Sequence, residues 1–100
     1  MLNVNYEYLG GVLFVRLDGI LDGRNIYLLA DSIKRIINIG GIKYVVINVE
    51  KVKALNDSYI RYLIEDVKNS SIYLCGYSSS NYNSNILLND ERHVFKYINY

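Results

Sequence analysis

The chain has 100 residues, 51% of them hydrophobic, and 11 basic against 10 acidic side chains leave a net charge of +1. Residues 1–100 therefore make one domain with enough apolar content for a core that needs no staples. The balanced charge, without a basic block, argues against a nucleic-acid partner, and the single cysteine, Cys75, excludes a disulfide framework or a cysteine-rich metal site.

The N-terminal residues open on a strand pattern. Leu2, Val4, Tyr6 and Tyr8 alternate with Asn3, Asn5 and Glu7, the period of a half-buried strand near a sheet edge. This start carries no signal-peptide pattern, and no apolar run approaches about 20 residues, so a cytoplasmic protein without membrane insertion is expected. Gly10-Gly11 marks a turn into 12–17, a more continuously apolar and hence more central strand. The two should pair as an antiparallel hairpin.

Two Asp-Gly steps, Asp18-Gly19 and Asp22-Gly23, mark a connection, and Asp22 or Asn25 can cap a helix after it. From Ile26, the residues Leu29, Ala30, Ile33, Ile36 and Ile37 share one helical face, with Asp31, Lys34 and Arg35 opposite, until Gly40-Gly41 ends the helix. Residues 44–49 are a β-branched run of the kind buried on both sides of a sheet. After a polar passage, Asn56, Asp57 and Ser58 are three consecutive residues able to cap a helix. Ile60, Leu63, Ile64 and Val67 then lie at i, i+3, i+4 and i+7, the core face of a second helix over about 58–68. Tyr59 and Tyr62 fall off that face and are expected to be exposed beside the cap, unless they pack on a neighbouring loop.

Residues 72–77 read as a fourth strand, 78–84 as a polar loop, 85–88 as a short third helix, 90–92 as a turn and 94–98 as a fifth strand. The order β-β-α-β-α-β-α-β predicts an α/β fold. Its mixed five-stranded sheet has an antiparallel N-terminal hairpin followed by parallel β-α-β units. In open α/β sheets, functional loops lie beyond the carboxyl ends of the parallel strands, here 18–24, 50–58 and 78–84.

No catalytic or metal-binding constellation emerges. His93, the one histidine, has no Cys, Asp or Glu cluster at ligand spacing, and Cys75 lies in an apolar run where a buried thiol is expected. There is no Gly-rich phosphate loop and no nucleophile motif. Neither an enzyme nor a cofactor is expected. The helix N-terminus at 56–58 is the one polar focus, since its free N–H groups and positive dipole end suit anions and partner recognition.

With these residues in view, the chain resembles the STAS domains of anti-sigma factor antagonists. Residues 12–22, ending Asp18-Gly19-Ile20-Leu21-Asp22, look like the family's second strand with its hydrophobic–Gly–x–Leu–Asp ending, and 44–49 looks like its third. Ala54-Leu55-Asn56-Asp57-Ser58-Tyr59-Ile60 falls where the family has hydrophobic–Asp–Ser–Ser/Thr–Gly–Leu. Ile86-Leu87-Leu88 and 94–98 look like its third helix and last strand, while its final helix has no counterpart in these residues.

The resemblance implies a non-enzymatic module for transcriptional signalling. It would bind an anti-sigma factor of the serine-kinase type, which phosphorylates a serine at the start of helix 2 to end the interaction. Aligning Ile60 with the family's Leu puts Asn56 at its Asp, Asp57 at the phosphorylated Ser, Ser58 at the second Ser/Thr and Tyr59 at the Gly. A shift by one would make Ser58 the phosphorylated residue, but would take Ile60 and Leu63 off the core face. In the unshifted match a permanent carboxylate replaces the accepting hydroxyl. Its single charge falls short of a phosphate's roughly −1.5 to −2, so it imitates the switched state weakly or serves a different partner. The expected partner surface is Asp22, Arg24, Asn56, Asp57, Ser58, Tyr59 and Tyr62. The alternative is a constitutive structural subunit of a larger regulatory or ABC transport complex.

Overall fold

A computed structural model describes residues 1–67, 70–77 and 86–98. Strand β1 (Leu2–Leu9) turns through Gly10-Gly11 into β2 (Val12–Ile20). Helix α1 (Asn25–Gly40), β3 (Tyr44–Lys53), α2 (Asp57–Asp66) and β4 (Ser71–Cys75) come next, then the short β5 (Leu87–Leu88) and a 3-10 helix over Glu91–Lys96. The strands lie in the order β1-β2-β3-β4-β5. β1 and β2 are antiparallel and every other pair is parallel, as expected of the mixed sheet.

Both turn glycines of the hairpin have positive φ, 61° and 83°. A two-residue turn of that hand matches the right-handed twist of the strands and sets the pairing of Leu9 with Val12. Helix α1 ends where Gly41 adopts the left-handed conformation and donates its N–H to Ile37.

Both helices cover one face of the sheet. Ile26, Leu29, Ala30, Ile33 and Ile37 of α1, with Ile60 and Leu63 of α2, pack onto Leu13, Val15, Leu17, Val45, Ile47, Val49 and Leu74. Lys34 ties the helices together at 2.9 Å from Asp66. Strand β3 runs past Val49, where the apolar run in the sequence ends, and the β2–β3 register shifts between Arg16 and Asp18. One extra residue in β3 reverses the pleat, so Val52 turns to the core and Lys51 to solvent.

The opposite face is covered differently from expectation. Residues 94–98 are not a fifth strand, and Leu87 and Leu88 are not helical. Instead Leu87–Leu88 pairs in parallel with Leu74 and Cys75 as β5, and the chain then winds into the 3-10 helix. The expected loop over 78–84, and Asn85 of the expected third helix, lie outside the described residues. The 3-10 turn forms because the Asp90 side chain accepts the Arg92 N–H at 2.9 Å, and because its first residue is held from the sheet. Arg16 donates to both oxygens of Glu91 at 2.9 Å, Asn48 donates to Glu91 Oε2 at 2.9 Å, and Glu7 lies 2.9 Å from Arg16. This bidentate pair lets Val94 and Phe95 close over Val12, Phe14, Val46 and Cys75. An edge strand there would leave Val12 and Phe14 uncovered.

Leu63 is fully buried and Arg61 exposed. Leu63→Ala should cost about 2–5 kcal/mol by opening a cavity under α2, and Arg61→Ala about 0–1 kcal/mol. Equal losses in chemical denaturation would contradict the helix register.

The Arg16 hydrogen bonds hold the Glu91 carboxyl below its ordinary value of 4.5. A depressed folded value adds stability above that ordinary value and loses it as pH falls through the folded one. Glu91→Gln should therefore cost about 1–3 kcal/mol at neutral pH, and the gap from wild type should narrow as pH falls below the ordinary carboxyl value of 4.5. Urea titrations at neutral and acidic pH measure it. A pH-independent gap would mean that shape, not charge, holds the 3-10 helix.

Candidate functional site

Two connections meet at the carboxyl end of the parallel strands, β2 to α1 and β3 to α2. The first is built by mutual capping. Asp22 Oδ1 accepts the N–H groups of Arg24 and Asn25, both at 2.9 Å. In return Asn25 Oδ1 accepts the Asp22 N–H at 2.8 Å, and Asn25 Nδ2 donates to the Ile20 carbonyl at 2.9 Å. The N–H bonds from Asn25 and Arg24 hold the Asp22 carboxyl below the usual range. Asp22 is thus engaged in its own loop, and Arg24 stands exposed beside it.

The second connection enters through Ala54, whose φ of 51° makes it the one non-glycine at positive φ among the described residues. Such a conformation costs about 1–3 kcal/mol and persists only where its surroundings enforce it. Of the three possible caps, Asn56 serves: its Oδ1 accepts the Ser58 N–H at 2.8 Å. Asp57 occupies the first turn of α2 as its acidic residue. Asn56, Asp57 and Ser58 are all exposed, while Ile60 and Leu63 are fully buried, as the expected core face of the helix requires.

The tyrosines take the second of their two expected placements. Tyr59 and Tyr62 are half-buried and pack on the core. The Tyr59 hydroxyl sits against the first loop, 3.7 Å from where a Cβ on Gly23 would stand. Tyr62 meets Tyr27 of α1 edge-on, with ring centroids 5.0 Å apart and planes at 82°. These contacts join the two loops, so Asp22-Gly23-Arg24 and Asn56-Asp57-Ser58 belong to one surface.

The exposed apolar residues there are different ones: Ile20 at 48% and Tyr27 at 55%. The signal for Tyr27 was present in the sequence. It stands off the i, i+3, i+4 face of α1, where a solvated helix carries polar residues. The surface thus pairs an acidic, hydroxyl-bearing helix start with uncovered apolar side chains, a combination suited to a protein partner.

Other reactive groups lie elsewhere. Burial, and secondly the nearby Glu50 carboxylate, push the Cys75 thiol up to about 12. It is inert as a nucleophile at neutral pH. Among the described residues no cluster of three or more His, Cys, Asp or Glu is placed to hold a metal ion. No helix among them is long and apolar enough to cross a membrane.

Comparison with known proteins agrees with this architecture. The family model for the STAS domain matches residues 3–79. The anti-sigma factor antagonist SpoIIAA in its unphosphorylated form is 19% identical, over 95% of this chain and 83% of that one, with a TM-score of 0.61. The phosphorylated form of the Bacillus cell fate determinant SpoIIAA is 14% identical, over 95% and 98% of the two chains, with a TM-score of 0.69. A third structure, Mglu, shares 17% identity over 79% of this chain and 20% of its own, with a TM-score of 0.59. No curated protein matches the sequence. These likenesses establish the fold, and with the family model spanning most of its length, the chain belongs to the STAS domain family.

Proposed function

We propose that this STAS domain is a non-enzymatic signalling module that binds an anti-sigma factor of the serine-kinase type through the start of α2. The observation that carries the reading is the joined surface itself. Asn56, Asp57 and Ser58 are exposed at a capped helix start, on one surface with uncovered Ile20 and Tyr27. Asp22, Arg24, Tyr59 and Tyr62 shape its floor and rim. The STAS family and the likeness to SpoIIAA, an anti-sigma factor antagonist, support the choice of partner.

In this reading Asp57 takes the place of the phosphorylated serine and holds a fixed negative charge where the family toggles one. A carboxylate supplies two acceptor oxygens and one charge, against three oxygens and roughly −1.5 to −2 for phosphoserine. The wild type then resembles a partly switched-off antagonist. That same permanence favours one second reading, a constitutive subunit of a larger regulatory or ABC transport complex that uses this surface without a switch. Ser58 is a candidate phosphorylation site one residue along, with its N–H already bound to Asn56.

Partners recovered by pull-down can be titrated with wild type, Asp57→Ser and Ser58→Ala, with and without ATP. Asp57→Ser should bind a serine-kinase partner at least about tenfold more tightly, a gain of about 1.4 kcal/mol, and be released by ATP. Weaker binding of Asp57→Ser would make the carboxylate a direct contact and favour the constitutive reading. Release of the wild type by ATP, abolished in Ser58→Ala, would place the switch at Ser58 and overturn the residue match.

A further inference from the structure

The two edges of the sheet are unlike. β5 is two residues long, and brevity guards it against pairing with another chain. β1 has eight residues, unbroken register against β2, no lysine, and no proline, of which the chain has none. Its one charged side chain, Glu7, is tied back to Arg16 of β2, so little blunts this edge. No described residue pairs with its outer side.

The hairpin decides which backbone groups face outward. A two-residue turn makes Leu9 and Val12 the hydrogen-bonded closing pair, and in an antiparallel ladder such pairs alternate. Asn3, Asn5, Glu7 and Leu9 therefore spend their N–H and C=O groups on β2. Leu2, Val4, Tyr6 and Tyr8 direct theirs away from the sheet.

The side chains of those same residues are apolar or aromatic. Leu2, Val4 and Tyr6 line a groove of about 330 Å³ with Leu28 and Leu29 of α1. Ser32 of α1 lines the same groove as Tyr6. Tyr8 and Leu28 stand 59% and 69% exposed next to it.

We propose that two copies of this chain pair antiparallel through β1, about a two-fold axis at Asn5. That register puts Val4 opposite Tyr6 and Leu2 opposite Tyr8 of the second copy, so all four outward-facing residues find hydrogen-bonded partners. It also sets Glu7, the one charged residue of β1, opposite Asn3. Moving the axis to Tyr6 would set Leu2 opposite the turn at Gly10, and moving it on to Glu7 would bring the two Glu7 carboxylates together, where like charges directly opposite are unfavourable. A shift toward the N-terminus would leave Tyr8 unpaired. The strand is thus complementary to itself in charge, polarity and hydrogen bonding in this register. Each copy has one long open edge, so the assembly closes at two. The contact is confined to one eight-residue strand and the groove beside it, which makes the dimer weak and concentration-dependent.

Sedimentation equilibrium of the wild type should show the average mass rising from monomer toward dimer between about 10 μM and 1 mM. Asn5→Cys should cross-link under mild oxidation, because non-hydrogen-bonded antiparallel pairs hold their Cα atoms about 4.5 Å apart, within disulfide range. Asn3→Cys should cross-link at least about tenfold more slowly, since its counterpart lies four residues away along the strand. Tyr8→Pro removes an outward N–H without touching the β2 ladder and should weaken the dimer at least about tenfold. If Tyr8→Pro misfolds by circular dichroism, Asn5→Asp, at an exposed position, places two carboxylates on the axis and should weaken it equally. A wild type that stays monomeric to about 1 mM overturns the proposal, as does equal cross-linking of the two cysteine variants. Protection of β1 from hydrogen exchange only by a strand of another protein would assign the edge to that partner and overturn it too.

Discussion

The two central strands are apolar on both faces, and every other element is placed by the need to keep water from them. Val12, Leu13, Phe14 and Val15 are consecutive and all buried, as are Val45, Val46 and Ile47. A strand of that composition must be covered on both sides. One side is met by the amphipathic faces of α1 and α2, each returning over the sheet between parallel strands. The other has no long helix among the described residues, and the burden falls on Val94, Phe95 and the bidentate pair between Arg16 and Glu91. The polar network lies at the margin of the second core, where the sheet changes from apolar to polar down β2 and β3. It binds β1, β2, β3 and the 3-10 helix at once through Glu7, Arg16, Asn48 and Glu91.

This division of labour leaves the carboxyl end of the parallel strands free to carry a recognition surface. The helices pack by their faces, so their N-termini and the loops before them project beyond the sheet. Capping fixes these loops: Asp22 and Asn25 bind one another's backbone, and Asn56 holds Ser58. Tyr59 and Tyr62 then lock the loops to each other from beneath. A rigid floor of this kind lowers the entropy cost of docking a partner. The left-handed Ala54 at the entry to α2 stores strain beside the cap, a placement common in sites built for function rather than for stability alone. The β1 edge follows a different logic. It derives from the hairpin, not from the β-α-β units, so a self-association there and partner binding at the α2 cap use different parts of the sheet.

The sequence by itself determined the elements whose periodicity is long and whose partners are generic. The 2.0 period of Leu2 to Tyr8, the glycine pair after it, and the 3.6 period of Ile26 to Ile37 and Ile60 to Val67 suffice for hairpin, helices and sheet class. A repeating apolar face will pack against any apolar surface offered to it. The polar cap at 56–58 was legible for the same reason, since capping is local chemistry. Tertiary structure decided what depends on one particular neighbour. Strand β3 outruns its apolar stretch, with a bulge against β2 that reverses the pleat. Tyr59 and Tyr62 are half-buried because Gly23 and Tyr27 stand opposite them, and Ile20 and Tyr27 are left exposed instead. After Ile86 the chain has short apolar pairs that fit helix or strand equally. There the choice fell to contacts 75 and 43 residues distant, Arg16 and Asn48 on Glu91. Local sequence carries no record of a partner that far along the chain.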